Sequence, residues 1–351
     1  MLFRKKYLDD SYNYFSDRVY IIKGVLVLCV VIEHNLEVET LFPRIKIVFE
    51  SFDVFGFFLL AFCFPGKQFS MEFFKTRAFR YLIPFFWFYS VSSLLYNFLI
   101  IDISIIDFIK NYLLGLLILS TDLIKNASGF SLFWFLPCFL ALITLRSIYV
   151  LNINFKLIFI LLGVGFHFFF SSMLTPYAKW IPLSISVALF CFPVCLFFEK
   201  IWPYAKERFI LGLICFSLFI VSLSLIGFYK NKMYLFASHF PNLSDPVWLL
   251  IHDVCVLSSI PGLYWLVSIY NSKTLILIGK YSLGIYLTHN LVYYAIKFTF
   301  PISRNSLISV LLTIFFTILG ATLATLGINK IIWMKKLIYP MHYQDWRIWR
   351  K

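Results

Sequence analysis

Charge is what this sequence has least of. Only 14% of its 351 residues are Asp, Glu, Lys or Arg, against about 25% in a soluble domain, so a water-facing globular surface is hard to assemble from it. Acidic residues are the scarcer sign, 17 against 31 Lys and Arg, for a formal charge of +14. A basic excess points either to nucleic acid or to an anionic membrane surface. The 61% apolar content decides for the membrane, because a nucleic-acid binder carries its cations on a soluble scaffold. A cleavable signal is also missing: residues 1–18 are polar, and no small-residue cleavage site follows the first apolar run. The seven cysteines (Cys29, Cys63, Cys138, Cys191, Cys195, Cys215 and Cys255) show neither disulfide nor zinc spacing and read as small apolar packing residues. No metal and no nucleic-acid partner is expected.

What is present is long apolar runs. With no water to satisfy the backbone, only helices and closed barrels cross a bilayer, and a helix needs ~20 mostly apolar residues. Barrel strands would alternate polar and apolar, and LIFILLGVGFHFFF (157–170) does not. The expectation is an all-α integral membrane protein of about ten transmembrane helices, near 19–38, 45–64, 81–101, 131–150, 155–174, 179–198, 208–229, 247–270, 275–297 and 305–329. The piece 112–120 is too short to span and is expected at the interface or as a re-entrant segment. This transmembrane domain (19–330) is flanked by a short N-terminal segment (1–18) and a basic-aromatic tail (331–351) that reads as an interfacial anchor. Lys and Arg collect on the cytoplasmic side. With the N-terminus inside, 21 cations fall on inner segments and nine on outer ones, with Lys23 inside the first span, so both termini are expected in the cytoplasm.

A charge at the bilayer centre costs ~2.5–3.5 kcal/mol on the insertion scale, which makes ionisable residues within spans functional candidates. They are Lys23, Glu33, His34, Glu50, Asp53, His167, His252, Asp253 and His289. At ~1.5 Å per residue, His34 and His289 come to one level, roughly 22 and 21 Å from the cytoplasmic ends of their spans. Lys23 and His34 are eleven residues apart, close to three turns, so they share a helix face at different depths. That suits a ligand with an anionic head inside and a reacting end within the membrane. The plainer readings are a snorkelling Lys23, a His34 hydrogen-bonded at the outer interface, and a hydrated interfacial pair for Glu50 and Asp53. His167 and Asp253 are likewise expected at the interface.

The stretch KGVLVLCVVIEH (Lys23 to His34) resembles the signature of the acyltransferase-3 family of integral membrane acyltransferases: a basic residue, ten intervening residues and a His in the first span. Four more resemblances follow in order: GFFLLAF (Gly56 to Phe62), RAFRYLIP (Arg77 to Pro84), SLFWFLP (Ser131 to Pro137) and IGKYSLGIYLTH (Ile278 to His289). Together they cover residues 17–330. Tyr20 stands where an acidic residue is usual, leaving Asp17 as the nearest substitute, and Ala61-Phe62 where Ser-Gly is usual. The resemblance implies transfer of an acyl group, commonly acetyl from acetyl-CoA, to a hydroxyl of a cell-envelope glycan or lipid-linked saccharide, in the cytoplasmic (inner) membrane. Some members carry an extra esterase-like domain, for which this chain has no room.

Acyl transfer to an alcohol needs a base, a positioned thioester and donors for the oxyanion. His34 is the expected base, since neutral imidazole suits proton transfer near pH 7. Glu33 is its neighbour but points about 100° away around a helix, and His289 would be a second proton-transfer group, an oxyanion donor or an acyl carrier. Lys23, Arg77 and Arg80 are expected to take the phosphates of the donor CoA, although cytoplasmic charge bias alone accounts for the two arginines. Trp134, His252 and Asp253, towards the outer half, are expected on the acceptor side. The rival reading is a transporter or flippase of lipid-linked saccharide with a buried His/carboxylate proton relay. A membrane scaffold would not need Lys23 and His34 on one face.

Overall fold

The computed structural model describes residues 2–101, 104–130, 132–151, 153–170, 180–229, 246–269, 272–299 and 306–340. His239, His342 and the tail beyond 340 lie outside the described residues, as does the end of the fifth expected span. The described residues are helical with no strand. In chain order the α-helices are α1 (Leu2–Glu33), α2 (Leu36–Leu41), α3 (Pro43–Glu50), α4 (Asp53–Phe62), α5 (Met71–Leu95), α6 (Ile105–Ile118), α7 (Thr121–Ser128) and α8 (Phe135–Tyr149). They continue as α9 (Ile153–Gly165), α10 (Ile185–Glu207), α11 (Phe209–Tyr229), α12 (Pro246–Ile269), α13 (Lys273–Lys280), α14 (Ser282–Thr299), α15 (Leu307–Lys330) and α16 (Ile332–Ile338).

Among the described residues, five helical segments are long and apolar enough to cross a membrane: Leu132–Tyr149, Pro182–Glu207, Phe209–Tyr229, Val247–Ile269 and Leu307–Lys330. Two of them, α11 and α15, expose large apolar side chains along their length, Ile210, Val221 and Phe228 on one and Ile308, Leu311 and Phe315 on the other. An outward apolar surface of that kind faces lipid rather than water. Several other expected segments are broken helices. The first stops at Glu33, where Asn35 starts α2 as its N-cap, the side-chain oxygen accepting from Glu37 N at 3.0 Å and Val38 N at 3.3 Å. The second divides into α3 and α4 around Ser51 and Phe52, and the ninth into α13 and α14 around Tyr281. The piece 112–120 lies within α6 and the turn after it, which ends in left-handed Leu119. Within helices, hydroxyls are hidden by bonding back to the preceding turn, as for Ser222 to Leu218 O (2.7 Å) and Thr313 to Ser309 O (2.7 Å).

The chain folds as two compact units, each assembled from separated stretches. The first comprises Met1–Cys63, Phe198–Met233 and Leu250–Leu323, and its central element is α1. The side chains Leu26 of α1 and Ile260 of α12 converge on Gly56 of α4, where a methyl group would lie 2.9 Å from Leu26 and 3.4 Å from Ile260. The closest crossing is α1 on α13. A Cβ on Gly24 would collide with the Leu275 carbonyl, and one on Gly279 with the Tyr20 carbonyl, so only hydrogen at both positions lets the two backbones touch. The second unit comprises Phe64–Phe197, Tyr234–Leu249 and Ala324–Lys351. There Tyr89 stacks on Phe85 and Tyr112, with ring centroids 5.1 and 5.3 Å away, and donates its hydroxyl to Tyr112 O at 3.0 Å. Arg146 donates to Phe64 O at 2.6 Å, and Trp87 donates to Leu337 O at 3.1 Å, which docks α16 on α5.

Candidate active site

The break after Glu33 creates the site in the first unit. His34 sits in the turn between α1 and α2, no longer inside a continuing helix, and its ring meets that of His289 from α14 edge to face, centroids 5.4 Å apart at 77°. His34 Nδ1 lies 2.9 Å from Val30 O and 3.0 Å from Glu33 Oε1. Both neighbours are acceptors, so Nδ1 carries a hydrogen and the neutral ring keeps its lone pair on Nε2. His289 repeats the pattern: Nδ1 is 2.7 Å from Tyr286 O and 3.3 Å from Ile285 O, and Nε2 is buried with no hydrogen-bond partner among the described residues. His289 is 1% exposed, whereas the His34 side chain is 25% exposed, so His34 is the imidazole a substrate reaches first.

Around the rings stands a set of carboxyls. Glu33 is buried, and its carboxyl and that of Asp53, the first residue of α4, are within hydrogen-bonding reach of each other. Asp53 is 0% exposed and also accepts from Val54 N at 2.6 Å. Glu50 closes the group at the end of α3, 3.8 Å from Lys46 Nζ, which in turn holds Glu39 at 2.9 Å. Two sequence expectations change here. Glu33 does reach His34, because the 100° offset applies to a helix that continues and α1 ends at this residue. Asp53 is enclosed protein interior rather than half of a hydrated pair, because α4 starts inside the packed unit.

One face further along α1, towards its start, the chemistry is cationic. Lys23 Nζ and Lys280 Nζ both lie 5.6 Å from the centroid of the Tyr20 ring. Each lysine is the sequence neighbour of a crossing glycine, Lys23 of Gly24 and Lys280 of Gly279, so the backbone contact that needs those glycines also sets the two ammonium groups beside one ring. Arg18 lies over Tyr264 at 4.7 Å and Trp265 at 5.9 Å. Sequence reasoning missed Lys280 as a partner of Lys23, although it stands in the stretch that carries His289.

The remaining expected residues are placed as follows. Arg77 and Arg80 are half-buried on the first turns of α5, in the second unit, with Arg77 over the Phe73 ring at 5.3 Å. Trp134, also in the second unit, is buried in the single helical turn Leu132–Trp134 that leads into α8. His252 and Asp253 belong to α12 of the first unit, 3.7 Å apart at Nδ1 and Oδ1. His252 is 0% exposed, its ring 6.0 Å from Phe55, and neither nitrogen has a hydrogen-bond partner among the described residues. His167 is buried, stacks on Phe190 at 4.5 Å and bonds Phe190 O at 2.9 Å. Among the described residues no group of three or more His, Cys, Asp and Glu would hold a metal ion. The chain matches the family model described as "Acyltransferase domain" over residues 16–326, nearly its whole length. No curated protein and no solved structure matches it.

Proposed function

Because the chain belongs to the acyltransferase-3 family and is a membrane acyltransferase, we propose that it moves an acetyl group from acetyl-CoA to a hydroxyl of a cell-envelope saccharide. The observation that carries this reading is the pair of facing imidazoles, each with Nδ1 committed to acceptors and the more exposed one, His34, held by the Glu33 carboxylate. In the reaction His34 Nε2 takes the hydroxyl proton as the acceptor oxygen attacks the thioester carbonyl. The carbon–sulfur bond then breaks, and the proton passes to the departing CoA thiolate, giving the ester and free CoA. Glu33 stabilises the imidazolium, and Asp53 fixes Glu33. His289, whose Nδ1 is committed to backbone carbonyls, offers the lone pair of Nε2 as a second proton acceptor that passes the proton onward.

Lys23 and Lys280 receive the anionic head of the donor. His252 and Asp253, in the same unit, serve the acceptor. The topology that goes with it is multi-pass in the cytoplasmic (inner) membrane, about ten crossings with both termini inside, so that the donor enters from the cytoplasm. Purified full-length protein given labelled acetyl-CoA and a panel of envelope glycans tests the proposal. CoA release that depends on an acceptor supports it, and none with any acceptor overturns it. The Glu33–Asp53 carboxyl pair would also serve a proton-coupled carrier of lipid-linked saccharide, and such a carrier would move its cargo without releasing CoA.

A further inference from the structure

Three residues outside the reaction centre join α2, which follows the His34 turn, to α14, which carries His289. Glu37 on α2, three residues beyond His34, is buried at 2% exposure. Its Oε2 accepts from the Tyr293 hydroxyl at 2.9 Å, and its Oε1 pairs with Lys297 Nζ. Tyr293 and Lys297 lie one and two turns beyond His289 on the same side of α14. Both oxygens of one carboxylate are therefore spent on the helix that presents His289, close to the turn that presents His34.

Stability alone is a poor reason for such a pair, since the desolvation of two charges roughly cancels their attraction and apolar residues of similar volume serve as well. What a buried pair fixes is register. Sliding α14 by one residue would move His289 ~1.5 Å and turn it ~100° away from His34. Continuity of α1 cannot supply this register, because α1 ends at Glu33 and the chain restarts at the Asn35 cap. We propose that Glu37, Tyr293 and Lys297 form a latch that holds His34 and His289 face to face, making them positioning residues of the transfer reaction. The inference rests on reading His34 and His289 as the reaction centre.

The test uses the full-length protein in lipid nanodiscs, as wild type, Glu37→Gln, Lys297→Met, Tyr293→Phe and the exchanged pair Glu37→Lys with Lys297→Glu. Turnover of acetyl-CoA with an accepted glycan gives kcat and the donor KM. Carbethoxylation of His289 by diethyl pyrocarbonate, followed by mass spectrometry, reads the geometry without turnover. Glu37→Gln and Lys297→Met are expected to lower kcat roughly 10–100-fold, the range that a misplacement of about 1 Å produces, with the donor KM within about twofold. His289, protected in the wild type, is expected to react several-fold faster in both. Tyr293→Phe removes one bond and gives a smaller change in the same direction, and it carries the comparison if the charge variants do not accumulate as folded protein. The exchanged pair is expected to recover part of kcat and of the protection, which a general loss of stability would not do. A folded Glu37→Gln protein with wild-type kcat and a His289 as protected as before overturns the latch. A wild-type protein that releases no CoA with any acceptor overturns the transfer reading instead, and the carbethoxylation comparison still decides the latch.

Discussion

Two places along one helix face of the first unit differ in chemistry. Near Tyr20 the side chains are Lys23 and Lys280, both ammonium groups beside an aromatic ring and Lys280 exposed. Eleven residues on, at the end of α1, Glu33, Asp53 and His289 are buried, and only His34 is partly open. Cations that stay near water suit a phosphate-bearing head, which must come and go. Imidazoles and carboxyls enclosed in apolar surroundings suit proton transfer, because electrostatic interactions there are stronger and water is excluded. The helix rises roughly 16 Å between Lys23 and His34, a separation matched to a ligand whose charged and reacting ends are far apart.

Substitutions at the two places should therefore fail in different ways. His34→Ala is expected to have the largest effect, a loss of ~10²–10⁴ in kcat, the range attributed to a positioned acid or base, with expression and membrane insertion intact. Full activity in a folded variant would remove His34 from the base role. Glu33→Gln keeps the shape but loses the charge on the hydrogen bond to Nδ1. A charge-assisted bond contributes about 1.5–3 kcal/mol, so kcat should fall roughly 10–100-fold while donor saturation is unchanged. At the cationic place the pattern reverses: Lys23→Ala and Lys280→Ala should each raise the donor KM by about tenfold with kcat nearly constant. Unchanged saturation in Lys23→Ala would take that residue out of the donor site. The smallest effect belongs to His167→Phe in the second unit. It loses one bond to Phe190 O, which should cost about 1 kcal/mol in thermal unfolding and leave turnover as in the wild type.

The sequence made some of this legible and hid the rest for identifiable reasons. The expected spans 208–229 and 305–329 are long apolar runs, and α11 (Phe209–Tyr229) and α15 (Leu307–Lys330) match them to within two residues. The Lys23/His34 face could be read because helical periodicity holds from one to the other. It ceases to hold just where the chemistry is. A single Asn, a Ser-Phe pair and a Tyr break three apolar stretches, and a window of about twenty residues averages such short interruptions away. Helix geometry therefore turned Glu33 about 100° away from His34, and Asp53 read as half of a hydrated interfacial pair. Glu37 is a different case. Its partners are 256 and more residues away, and no local pattern sets Glu37 apart from Glu39 in the short helix α2. The one local hint was the spacing of Tyr293 and Lys297 after His289, which repeats at helical period.

The pairing of Glu37 with Tyr293 across 256 residues also sets a timetable for biosynthesis. Ribosomes add ~5–20 residues per second, so roughly 10–50 s separate the emergence of the two partners. During that interval Glu33 at the end of α1 and His34 in the turn after it lack the helix that will cover them. The pairing of the two imidazoles can form only when synthesis is nearly complete. A stalled or truncated chain lacking its last fifth would thus hold the first half of the constellation and none of its closure.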